Sequence, residues 1–172
     1  MTSGAAQISA QRGLTTVFLG IFVVWLIAAP ILSWGGFYAT ARQQEGANPA
    51  LARMPEWSGM WSLVGGIVIF RLAVAVAAWI GIANRNSKGL KTAKIAAWLS
   101  WPIADSVLLF GMYFLFVGRP ERATFDNFGR GIGPLFGSLV IASGWTIYLT
   151  YSKQIAERFS VSADPKTNYL EN

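Results

Sequence analysis

The sequence contains no cysteine and no histidine. Without cysteine there is no disulfide exchange, no thiolate nucleophile, no iron–sulfur cluster and no cysteine-bound zinc. Without histidine there is no bis-His haem, no imidazole-bound metal and no imidazole acid–base chemistry. Quinone-linked four-helix oxidoreductases of the disulfide-forming kind need a CxxC pair, which this chain lacks. Charge is sparse as well: 13% of the 172 residues are charged, against about 25% in an ordinary soluble domain. Hydrophobic residues make up 53%, and the mean hydropathy is +0.43. A surface so poor in charge fits a chain that faces lipid.

The net charge of +6 raises the question of nucleic acid. No basic stripe interleaved with aromatics is present, so no nucleic-acid partner is expected. Basic residues in a polytopic membrane protein instead mark cytoplasmic loops and meet anionic lipid head groups.

Four apolar runs are long enough for the ~20 residues a bilayer requires. The first, residues 14–34, carries no charge and ends in Pro30 and Trp34. It is too long for the apolar region of a cleaved leader and is read as a retained helix, with Pro30 kinking it or loosening its last turn. Residues 35–59 form a polar connection, in which Pro49, Pro55 and the QQEGANP stretch argue against one continuous helix. The second run, residues 60–83, is interrupted only by Arg71, and the third, residues 95–117, carries Pro102 and Asp105. Between them lies the most basic loop, NRNSKGLKTAK, with Arg85, Lys88, Lys91 and Lys94 and no acid. The loop 118–131 has mixed charge, and the fourth run spans 132–151 with Pro134 in its first turn, where a missing N–H is harmless. Its Gly133 and Gly137 form a GxxxG helix-packing pair, continued by small residues as far as Gly144. The run SKQIAERF is expected to prolong the helix, ahead of the polar tail ADPKTNYLEN, which reads as disordered.

The expected fold is therefore all-α: an integral membrane four-helix bundle over 14–151. A short segment, 1–13, precedes it and a tail, 152–172, follows. Lys and Arg decide the orientation. Eight lie in the N-terminus, second loop and C-terminus, against five in the first and third loops. This bias places both termini in the cytoplasm.

Arg71 and Asp105 are the two charged residues inside the spans. Counted from the cytoplasmic ends of their helices, both lie roughly 17 Å deep at 1.5 Å per residue. Each alone at a helix centre costs about 2.5–3.5 kcal/mol. An ion pair satisfies both, so Arg71 and Asp105 are expected to face each other. Such a pair can fix helix register, form a polar centre for a substrate, ion or proton, or meet a partner subunit. Nearby polar groups are few: Ser100, Ser106, Ser138, Ser143 and Thr146.

Eight Trp and eleven Phe complete the picture. Trp25, Trp34, Trp57, Trp61, Trp79 and Trp98 fall near span ends, as interfacial anchors do. Trp101 and Trp145 lie deeper, either packing around Pro102 or lining a pocket.

The final helix and its exit, GWTIYLTYSKQIAERF, place Trp145, Tyr148, Tyr151, Ser152, Lys153, Arg158 and Phe159 in order. With the Gly-led first helix GLTTVFLGIFVVWLIAAPI, this resembles a family of small bacterial four-helix inner-membrane proteins of unknown function. The resemblance covers about a fifth of the chain and departs at Gln154–Glu157, where that family runs consecutive basic residues. It implies a bacterial four-span protein of the inner membrane and brings no activity.

No catalytic residues, metal ligands or cofactor are assigned. The loops offer Glu45, Glu56, Glu121 and Asp126 with scattered Arg, a poor set for an enzyme. The expected function is a non-enzymatic accessory or interaction subunit, with membrane lipids, other membrane subunits or further copies of itself as partners. The alternative is a small transporter or ligand-binding bundle centred on Arg71 and Asp105.

Overall fold

A computed structural model describes residues 3–84, 87–116 and 125–152, together with residues 155, 157 and 159. Its regular elements are all helical: α1 (Ser3–Ala47), a 3-10 turn (Pro49–Arg53), α2 (Pro55–Ala83), α3 (Ser87–Trp98), a π-turn (Leu99–Ile103), α4 (Ala104–Phe116) and α5 (Phe125–Tyr151). Four helical stretches are long and apolar enough to cross a membrane: Thr15–Ala47, Pro55–Ala83, Lys88–Leu115 and Ile132–Tyr151. Ile69, Leu32, Phe114 and Phe136 stand largely exposed around them, as side chains do when lipid is the solvent. The molecule has the build of a multi-pass membrane protein.

Each helix turns one stripe inward. On α1, Thr15, Leu19, Phe22, Leu26, Pro30 and Ala41 are buried. On α2 the stripe is Trp57, Met60, Val64, Ile67, Arg71, Ala75, Ala78 and Ile82, in steps of three or four. That spacing keeps one helical face toward the bundle.

Two hydrophobic clusters divide the interior. One gathers the first half of α1, the second half of α2, α3, the π-turn and α5 around Phe22, Leu26, Ala75, Ala78, Ala93, Ala97 and Trp101. The other joins Ala41, Trp57, Met60 and Val64 with Trp34, Phe37, Trp61, Met112 and Leu115, and receives nothing from α5. Side chains bridge α1 and α5: Phe22 meets Trp145 at 4.7 Å and Phe18 meets Tyr148 at 5.6 Å.

Several boundaries differ from the sequence-based expectation. Helix α1 runs past Trp34 through Gly35 and Gly36 to Ala47. Packing explains it, because Phe37 and Ala41 lie in the second cluster and hold the extension against α2. The break comes at Asn48, whose side-chain Oδ1 accepts from Ala50 N at 3.2 Å; Pro49 and Pro55 each open the next helical segment. Pro30 lies within α1, which continues through it. The basic loop is shorter than expected: Lys88, Lys91 and Lys94 belong to α3, while Arg85 lies outside the described residues. Residues 125–131, expected in the third loop, are already helical. The expected helical continuation beyond Tyr151 is interrupted at Ser152, and Ile155 and Phe159 then pack into the first cluster. The expected disordered tail lies outside the described residues.

Candidate functional site

The charged centre arises from two local features. Arg71 falls on the inward stripe of α2, four residues from both Ile67 and Ala75, so the helix repeat alone turns it into the bundle. Its partner helix carries Pro102, which has no N–H to give and whose ring would strike the carbonyl one turn back. The backbone opens there into a π-turn, burying Ser100, Trp101 and Pro102. The wider turn leaves Asp105 at the start of α4, and Ser106 Oγ donates to the Pro102 carbonyl at 2.6 Å.

The structure brings Arg71 and Asp105 together, with Arg71 Nη2 donating to Asp105 Oδ1. The Arg71 side chain is 8% exposed and that of Asp105 is 21% exposed. The pair therefore ties α2 to α4 where water is scarce. In such surroundings a guanidinium–carboxylate bond is strong, and removing one partner strands the other. The polar supply is incomplete, since Arg71 Nε and Ser100 Oγ are buried with no hydrogen-bond partner.

Two further hydroxyls near the centre are occupied locally. Ser138 Oγ donates to the Leu135 carbonyl at 2.8 Å. Thr146 Oγ1 donates to the Ala142 carbonyl at 2.8 Å and accepts from Trp98 Nε1 at 2.9 Å. Of the two deep tryptophans, Trp101 is buried 6.2 Å from Phe22 and Trp145 packs on the same ring, so both fill the core.

Within the described part of this chain Gly133 and Gly137 make no helix contact. A Cβ built at either meets nothing within 4 Å, and both are exposed on a part of α5 that lies outside both clusters. Close packing occurs instead at Gly81 and Gly89, where α2 and α3 touch backbone to backbone and a methyl group on Gly89 would overlap the Gly81 carbonyl. No motif spacing announces it, because the two glycines sit on different helices across a turn.

A second polar group, also unanticipated, lies at the far end. Glu45 accepts from Trp57 Nε1 at 2.6 Å and from Arg42 Nη1 at 2.9 Å. The Arg42 guanidinium also stands 5.4 Å from the Tyr38 ring centre. This joins the end of α1 to the start of α2. Among the described residues, no three carboxylates gather in a way that would hold a metal ion. Compared with protein-family models, curated proteins and solved structures, the chain matches none.

Proposed function

We propose that this chain is a non-enzymatic subunit of a membrane assembly, an accessory or interaction protein rather than a catalyst. The observation that carries the reading is the contact between Arg71 and Asp105: the charged groups of the bundle centre are turned on each other and spent on joining α2 to α4. Paired intramembrane charges also occur in transport paths, but here the hydroxyls of Ser106, Ser138 and Thr146 donate to backbone carbonyls instead of extending the pair into a polar path.

Orientation and location follow from charge and resemblance. Leu19 of α1, Ile82 of α2, Ala93 of α3 and Leu149 of α5 share one cluster at one end, where Lys88, Lys91 and Lys94 also lie. Short basic segments favour the cytoplasmic side, which supports reading both termini there. The bacterial inner membrane is the setting that the family resemblance implies.

One observation favours the alternative of a small transporter or ligand-binding bundle. Arg71 Nε is buried without a partner, and Asp105 keeps 21% of its side chain accessible. Native mass spectrometry of the gently extracted protein separates the two readings. A subunit co-purifies with other membrane proteins or with its own copies, and Asp105→Asn weakens it by instability. Recovery as a lone chain, with Asp105→Asn folding normally but losing a bound small molecule, reverses the assignment.

A further inference from the structure

The first three turns of α3 present two opposite faces. Inward lie Gly89, Ala93, Ala96 and Ala97, all buried. Outward lie Lys88, Lys91, Ile95 and Trp98, spaced by three, four and three residues so that they form one stripe. Ile95 is 48% exposed and Trp98 is 37% exposed, two apolar side chains below two exposed cations. Lys94 flanks the stripe, one turn before Trp98. The Trp98 indole N–H is fixed on Thr146 of α5, so the stripe runs along the border between α3 and α5.

Depth matches a lipid molecule. With Asp105 at the bilayer centre, Lys91 lies about 21 Å along the helix at 1.5 Å per residue. Head groups begin about 15 Å from the centre and end about 20–22 Å from it. Lys91 is therefore at the level of the lipid phosphates, Lys88 lies about one turn farther out where its long side chain can reach back to them, and Ile95 and Trp98 reach the acyl chains.

Within α3 and its flanks the charge has no counterpart of its own. No carboxylate occurs anywhere in residues 84–104. Among the described residues Lys88, Lys91 and Lys94 enter no ion pair, and Arg42–Glu45 and Arg71–Asp105 both lie away from this end. The lysines also occupy the start of α3, which has no acid in its first turn. Helix dipoles favour anions at that position, so cations placed there call for an anion from outside.

We infer that the stripe Lys88–Lys91–Ile95–Trp98 binds an anionic phospholipid, with the phosphate at the lysines and an acyl chain along Ile95 and Trp98 beside α5. An acidic protein segment would satisfy the lysines too, but would have no use for the apolar continuation below them. The inference rests on the multi-pass reading with this end at a head-group layer. It does not depend on the subunit role, so co-purification of partners and lipid retention can fail separately.

The test uses the full chain in mixed micelles of phosphatidylglycerol and phosphatidylcholine, with retained lipid counted by native mass spectrometry. The wild type retains phosphatidylglycerol preferentially. Near a membrane surface each Lys contributes about a five-fold preference, so Lys88→Gln with Lys91→Gln lowers retention by about 25-fold, while Lys88→Arg with Lys91→Arg preserves it. Ile95→Ser reduces it further, Arg42→Gln at the opposite end leaves it unchanged, and excess glycerol phosphate fails to displace it. Equal retention of both lipids overturns the inference. So does a preference that survives the double Gln variant, displacement by glycerol phosphate, or loss of an acidic protein partner in place of lipid.

Discussion

At the end that carries the first interhelical turn, Trp61 is ringed by Trp34 at 5.8 Å, Phe37 at 5.1 Å and Tyr38 at 5.8 Å. At the other end α2 and α3 meet through Gly81 and Gly89, with Ala75, Ala78, Ala93, Ala96 and Ala97 lining the same cluster. One end packs rings between α1 and α2 and sets leucine side chains against Gly59 and Gly111; the other removes side chains and lets backbones touch. The difference teaches where tolerance lies. Rings can be exchanged for other large apolar groups at moderate loss, whereas a backbone contact admits no addition. Arg71 and Asp105 sit between the two regimes and tie α2 to α4 where the packing style changes.

Four substitutions sharpen or break this contrast, each read as thermal stability of the purified protein in detergent. Arg71→Ala is expected to have the largest effect, about 3–5 kcal/mol, because it strands Asp105 in a poorly solvated place. Adding Asp105→Ala should recover a large part of that loss. Simple additivity would show that the two residues do not act as a pair. Gly89→Leu comes next, at about 3 kcal/mol, since the new side chain must displace the Gly81 backbone. A stability like that of wild type would remove the claim of close α2–α3 packing. Trp61→Leu should lose about 1–2 kcal/mol, as its aromatic neighbours contribute about 0.5–1.5 kcal/mol per ring pair; a loss equal to that of Gly89→Leu would erase the contrast between the ends. Gly137→Leu should stay within about 0.5 kcal/mol, as a substitution facing open space does. A large loss there would mean that α5 packs against something this chain does not supply.

Much of this arrangement was legible in the residues. The four apolar runs and the equal depth of Arg71 and Asp105 follow from hydropathy and helix rise, and the inward facing of Arg71 follows from its four-residue spacing from Ile67 and from Ala75. What escaped was tertiary. Gly35, Gly36 and the QQEGA stretch read as a connection, but Phe37 and Ala41 find a surface on α2 and keep α1 helical to Ala47. A π-turn at Pro102 adds a residue to one turn and advances the following side chains by about 100°, a shift that no regular period reveals. Gly133 and Gly137 have the spacing of a contact without a helix opposite them, whereas Gly81 and Gly89 make the contact without the spacing. Helix-packing motifs describe one surface, and a contact needs two.

The absence of cysteine makes the most direct measurement simple. Single cysteines at Gln43→Cys, near the aromatic end, and at Asn84→Cys, near the basic end, both replace exposed residues. Each is probed with a membrane-impermeant maleimide on intact cells and again after permeabilisation. Gln43→Cys should react on intact cells, and Asn84→Cys only once the membrane is opened. Reaction of both from the same side would contradict a membrane-crossing α2 and, with it, the placement of the Arg71–Asp105 pair inside the bilayer.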